Sequence, residues 1–200
     1  MRNYLLNMTV ISWLAFFLSA VILITPSVLT ASDFSEAAEM RKKAEAEYAG
    51  LDVPVKNFGN SYVKGKYQQG MELIRLGKVN FAQGKYQGAI SLYRQYFTLQ
   101  NDVYKELAAA YISRAEAIFH ETAKELVDFV DNEKVGQYFR LANQNVADAK
   151  KAAAAGNYQL AIETCRISKK YSIEAYKAAV KPVPEKYNKD IKDNNKEIFQ

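Results

Sequence analysis

The sequence predicts an all-α protein of stacked antiparallel helical hairpins, with an N-terminal helix before them and a polar C-terminal tail after them. Three observations carry this reading. Gly84-Lys85-Tyr86-Gln87-Gly88-Ala89-Ile90 returns as Gly156-Asn157-Tyr158-Gln159-Leu160-Ala161-Ile162, matching at five of seven places, 72 positions later. Apolar residues recur at three- and four-residue steps almost without interruption from about Tyr62 to Val180. No alternating run is long enough to make a strand. In the repeated phrase, glycine closes one helix and lets the backbone reverse, the tyrosine packs across the turn, and the alanine lets two helices approach.

The chain divides into four parts. Residues 1–31 begin with a basic Met1-Arg2, continue through the apolar stretch Tyr4 to Ile24, and reach Pro26 and the mostly small residues Ser27 to Ser32. That order fits a secretory signal cut after Thr30, Ala31 or Ser32. The same stretch is long enough to remain as an N-terminal membrane anchor, because about 20 apolar residues span a bilayer. Both readings put the rest of the chain outside the cytoplasm. No lipid-attachment cysteine follows the stretch, which argues against a lipoprotein.

Residues 32–61 are expected to form a helix over 33–49, capped by Ser32 or Asp33 and ended by Gly50, then a connector holding Pro54, Gly59 and Asn60. Residues 62–181 read as five helices at about 62–83, 86–99, 102–130, 133–155 and 158–180. The expected breaks are Gly84-Lys85, Gln100-Asn101-Asp102, Asp131-Asn132 and Gly156-Asn157. Pro182 and Pro184 stop the last helix. Residues 182–200, rich in Lys, Asn and Asp, are expected to be frayed or weakly helical.

Loss of residues 1–31 removes Arg2 and no acid, so the net charge of +5 becomes +4 over about 170 residues. Lysines and glutamates are interleaved, and no block of like charge could track a phosphate backbone, so no nucleic-acid partner is expected. Cys165 is the only cysteine, which excludes an intrachain disulfide. An exported chain that relies on packing alone suits a bacterial periplasm. Next to Ile162 on a helix, Cys165 reads as a small buried hydrophobe.

Catalytic chemistry finds few footholds. The single histidine, His120, is followed by Glu121, but the residue four places on is Lys124, which cannot complete a zinc motif. Nearby carboxylates, Glu116 with Glu121 or Asp128 with Asp131, have no apolar setting that would raise a pKa. The chain therefore reads as non-enzymatic, with no metal and no cofactor. Of its 14 tyrosines, only Tyr4 falls within residues 1–31. Tyr86, Tyr93, Tyr158 and Tyr171 sit at core-like positions. Tyr62, Tyr67, Tyr96, Tyr104 and Tyr138 are harder to place, and exposed members of that set suit an interface.

The stretch Leu73 to Asn101 resembles a tetratricopeptide repeat, a hairpin of about 34 residues. Leu76-Gly77 stands where that family has Leu-Gly, Gly84 and Tyr86 fit its turn, Ala89 its close crossing, and Tyr93 its second-helix aromatic. Leu73 replaces the usual tryptophan, Asn80 the tyrosine, Tyr96 a small residue, and Asn101 stands where the closing proline is common. The second copy keeps Gly156, Tyr158 and Ala161, with Asp148-Ala149 for Leu-Gly and Cys165 for the aromatic. The interval of 72 is close to two such units, although the middle one has no turn.

The resemblance implies a ligand-facing groove on the first helix of each hairpin. Its lining would be Met71, Ile74, Lys78 and Phe81 in the clear copy, and Asn143, Val146 and Lys150 in the degenerate one. A lysine on each, among apolar neighbours, could receive an extended peptide. Alternatively these residues pack against the N-terminal helix 33–49. The expected function is a periplasmic or cell-envelope adaptor or scaffold that binds another envelope protein or itself. Two further readings are a structural subunit of an envelope or flagellum-associated appendage, and a carrier of a small ligand.

Overall fold

The computed structural model of the protein describes residues 31–194, and within them six helices and no strand. They are α1 (31–58), α2 (Ser61–Ala82), α3 (Tyr86–Glu125), α4 (Glu133–Ala154), α5 (Tyr158–Ala178) and the short α6 (Asn188–Asn194). Among the described residues no helix is long and apolar enough to cross a membrane. The apolar stretch 4–24 and the end of the tail, 195–200, lie outside the described residues.

The all-α expectation holds, and three boundaries differ from it. The backbone is helical already at 31 and runs through Gly50 and Pro54 to residue 58. Proline here forfeits one backbone hydrogen bond, while Leu51 and Val55 are buried against α3 one turn apart. The break expected at Gln100-Asn101-Asp102 does not exist, because α3 is one helix of 40 residues, about 60 Å long. Gln100 is buried and its side-chain amide donates to the Tyr104 hydroxyl at 3.2 Å, while Val103 and Tyr104 are buried just beyond. Packing on both sides of the polar triplet outweighs its turn propensity. Finally, α3 ends at Glu125, and a 3₁₀ turn over Val127–Phe129 occupies the rest of the stretch expected to be helical.

The repeated phrase closes two turns of the same design. Gly84 and Gly156 adopt φ +72° and +78°. In both turns the amide three places past the helix end reaches back to close it, Lys85 N to Asn80 O and Asn157 N to Ala152 O, each at 2.9 Å. The glycine amides donate to Phe81 O and Ala153 O. This is the Schellman arrangement, which needs a left-handed residue where glycine stands.

The interval of 72 marks one three-helix unit rather than two hairpins. Ser61–Ala82 maps onto Glu133–Ala154 end to end (61 to 133, 82 to 154). The buried residues of α2 (Val63, Gly70, Ile74, Gly77) map by the same shift onto those of α4 (Val135, Ala142, Val146, Ala149). Asn60 and Asn132 cap the two helices, accepting from Val63 N at 2.9 Å and Val135 N at 3.3 Å. The first helix repeats at a shift of 71, where Ala44-Glu45-Ala46 returns as Ala115-Glu116-Ala117. The first unit is therefore α1, α2 and the start of α3. The second is the end of α3, then α4 and α5. The third helix of one unit and the first of the next are the same continuous α3.

The two units fill their cores differently. In the first, Tyr93 and Tyr96 lie against Gly77 and Gly70, and a Cβ on Gly77 would stand 2.5 Å from the Tyr93 ring. In the second, the corresponding pairs are Cys165 with Ala149 and Ser168 with Ala142, and Ser168 Oγ donates to Ala142 O at 2.8 Å.

The tail departs most from expectation. Residues 185–187 form a 3₁₀ turn, α6 follows, and Tyr187, Asp190 and Asp193 are buried. Lys169 on α5 is wholly buried, with its ammonium 3.1 Å from Asp190 and 2.9 Å from Asp193. Arg114 on α3 binds Asp190 at 2.8 Å, Arg166 reaches Asp193 at 3.4 Å, and the Tyr111 hydroxyl donates to Asp193 at 2.7 Å. The same ammonium lies 4.5 Å from the Phe58 ring centre and 4.8 Å from that of Tyr111. Burial and the neighbouring Asp193 carboxylate push the Tyr111 phenol well above its usual range. At the outer edge, Lys186 bridges Glu121 and Glu125 and holds both carboxyls below their ordinary range.

Two stability changes are expected from this packing. Lys169→Met leaves two buried carboxylates without their shared cation and costs about 3–5 kcal/mol, the size measured when one partner of a buried pair is removed. Gly77→Ala forces the Tyr93 ring to move and costs about 1–3 kcal/mol, as overpacked cores do. Urea unfolding monitored by helical circular dichroism checks both, and a change under 0.5 kcal/mol in either would refute the corresponding contact.

Candidate functional site

Three of the four expected groove residues of the first unit, Met71, Ile74 and Lys78, line the α2 side of a cleft, and α1 forms its other wall. Ile74, 6% exposed, makes the floor with Met71, which is 52% exposed. Glu45 and Tyr48 of α1, with Arg75 and Lys78 of α2, complete a cleft of about 430 Å³. Lys78 is bound to Glu45 at 2.9 Å, and Arg75 to Glu72 at 2.6 Å. Phe81 does not line this cleft. It packs against Phe34 of α1 at 5.3 Å between ring centres and against Tyr86 at 5.5 Å, with the Arg41 guanidinium 5.1 Å from its ring.

The second-unit residues face α3 instead. Val146 is buried in the central core with Tyr104, Leu107 and Tyr111. Lys150 pairs with Glu116 of α3 at 2.5 Å, and Asn143 is exposed. Both lysines chosen from the sequence thus hold the glutamate of an Ala-Glu-Ala triplet, one on α1 and one on α3. Of the two readings of these residues, packing on the N-terminal helix describes Phe81 and Ile74. Met71, Ile74 and Lys78 still border an open cleft. The sequence reading missed Glu45, Tyr48 and Arg75. The repeated Ala-Glu-Ala, had it been noticed, would have pointed to Glu45 and Glu116.

A second cleft, about 270 Å³, opens between α1 and α3. It is bordered by Lys43, Glu47, Phe97, Asn101 and Tyr104, with the α4–α5 turn at one end. The Lys43 ammonium lies 5.3 Å from the Phe97 ring centre. Burial pushes the Tyr104 phenol up to about 12.

The tyrosines divide differently from expectation. Tyr96 and Tyr104 join Tyr93, Tyr111, Tyr176 and Tyr187 in the core. Tyr67 stacks on Tyr48 at 4.3 Å, and Tyr138 pairs with Tyr171 at 5.9 Å. Tyr62 is exposed.

The residues with catalytic potential are dispersed. His120 is exposed on α3 beside Phe119, and Cys165 is buried on α5. Among the described residues, no three or more His, Cys, Asp or Glu side chains gather in a way that could hold a metal ion. What both clefts offer is contact area framed by charge.

Burial pushes the Cys165 thiol up to about 12. Since the thiolate is the reactive form, Cys165 is expected to resist a thiol reagent at pH 8 in the native protein and to react at once in denaturant. Rapid native labelling would show that the α4–α5 core opens.

Comparison with known proteins adds no relative to this geometry. No family model matches the chain, and no curated protein or solved structure is detectably similar to it.

Proposed function

We propose that the protein is a non-enzymatic adaptor or scaffold of a bacterial cell envelope, and that it holds a partner protein in the cleft between α1 and α2. The observation that carries this reading is the cleft itself. A half-exposed methionine and a buried isoleucine form an apolar floor, and Lys78, Arg75 and Glu45 frame it with exchangeable surface ion pairs. Such pairs contribute little to stability, so a partner can displace them at small cost. Met71 is flexible and polarizable, which suits contact with an irregular side chain.

The two glycine-closed turns support the likeness to tetratricopeptide hairpins, while the shared α3 is a departure from that pattern. The envelope location rests on the apolar stretch 4–24 and on the lack of any possible intrachain disulfide. Rigidity comes from α3, which runs through both units and fixes the wall opposite α2.

Gentle crosslinking in the native envelope followed by affinity capture and mass spectrometry tests the reading. One dominant heterologous protein is expected, with recovery reduced at least tenfold by the double change Met71→Glu and Lys78→Glu. Both side chains are exposed, so the variant is expected to keep its helical signal and melting temperature. Recovery of the chain alone, or of a partner indifferent to these changes, would overturn the adaptor.

A further inference from the structure

The face between α3 and α5 that the tail covers has a counterpart in the first unit, where Tyr104 is buried but an open cleft remains between α1 and α3. In the second unit, Tyr187 packs on Tyr176 at 6.0 Å, Asp190 binds Arg114 and Lys169, and Asp193 binds Arg166 and Lys169. Shifting the α3 residue back by 71 and the α5 residues by 72 gives Lys43 for Arg114, Arg94 for Arg166, Tyr104 for Tyr176 and Phe97 for Lys169. Lys43, Phe97 and Tyr104 border the 270 Å³ cleft between α1 and α3. Arg94 lies on the same side of α3, one turn before Phe97.

We propose that this cleft docks a short helical segment of a partner protein, one that carries an aromatic residue followed by aspartates three and six places later. That is the pattern of the chain's own tail, Tyr187-x-x-Asp190-x-x-Asp193, which fills the equivalent face of the second unit. The charges match: Lys43 stands where the first aspartate is received and Arg94 where the second is received. At present they hold Glu47 at 3.8 Å and Glu36 at 2.7 Å; both cations are exposed and both glutamates are half-buried. Those pairs are weak enough to exchange for an incoming carboxylate.

The one charge that is not conserved between the units explains why one face is covered and the other is open. A lysine as deeply buried as Lys169 needs its carboxylates at all times, so the tail stays in place. Phe97 makes no such demand. It is only half-buried and shielded by the Lys43 ammonium, so the cleft can stand empty and be filled reversibly. The chain's own tail is held by Lys169 and is not available to a neighbouring copy.

A fluorescent peptide spanning residues 183–194, titrated into the full chain and read by anisotropy, tests this. Saturable binding is expected, weakened at least tenfold by Lys43→Glu with Arg94→Glu and by Asn101→Trp, which fills the cleft without changing charge. A peptide with both aspartates changed to asparagine is expected to bind at least tenfold more weakly. Met71→Glu with Lys78→Glu, in the other cleft, is expected to leave binding within twofold. No saturable binding, or binding indifferent to the Lys43, Arg94 and Asn101 changes, would overturn the proposal. So would binding that depends on Arg114 and Arg166 instead, since the peptide would then be replacing the tail. Self-association of the peptide-free chain that the same three changes abolish would make the occupant a second copy and overturn a heterologous partner.

Discussion

A lysine with no exposed surface, deep between helices, organises this molecule. The Lys169 ammonium cannot be buried alone, because an uncompensated charge away from water costs several kcal/mol. Two aspartates three residues apart, Asp190 and Asp193, answer it from the tail. Two aromatic faces, Phe58 at the end of α1 and Tyr111 in the middle of α3, close over it. Four parts of the chain therefore meet at one nitrogen: α1, α3, α5 and α6. Arg114 and Arg166 take up the remaining carboxylate capacity, so three cations share two anions and the cluster keeps one positive charge.

The long helix α3 is the second constraint. As a helix common to two three-helix units, it cannot tilt to suit one without disturbing the other. Its apolar face has to serve α1 and α2 at one end and α4 and α5 at the other, with Val103, Leu107, Tyr111 and Ala115 buried where the two sets of neighbours meet. That position explains the unbroken register through Gln100-Asn101-Asp102. A kink there would separate two cores that share a single wall.

What could be read from the sequence was whatever depends on local backbone chemistry. The two turns at Gly84 and Gly156 followed from a glycine, an aromatic and an alanine at fixed spacing, and their geometry is the same. The helical periodicity of α2, α4 and α5 was equally plain. What escaped was decided by distant partners. Gly50 and Pro54 look like a stop, yet Leu51 and Val55 bury against residues of α3 some fifty positions away. Asp190 and Asp193 look like solvated tail residues until Lys169, two dozen positions upstream, turns out to be buried. For the candidate site, Met71, Ile74 and Lys78 were legible through a family resemblance. Their opposite wall was not: the expected helix 33–49 contains Glu45 and Tyr48, but nothing in its local pattern marks those two side chains as facing α2.

The two units also show how one backbone plan tolerates two core chemistries. Where α2 crosses α3, glycine at 70 and 77 makes room for the rings of Tyr96 and Tyr93. Where α4 crosses α5, alanine at 142 and 149 faces Ser168 and Cys165. Each pair balances a large residue against a small one, or two small residues against each other, so the helices stay close in both. Exchanging a single member breaks the balance, because an added methyl meets a ring in the first unit and a lost one leaves a void in the second. Both units also leave buried polar atoms without a protein partner, the Tyr93 and Tyr96 hydroxyls in the first and the Thr122 and Ser172 hydroxyls in the second. Neither core chemistry therefore satisfies every polar group, and each is held by how closely its paired helices fit.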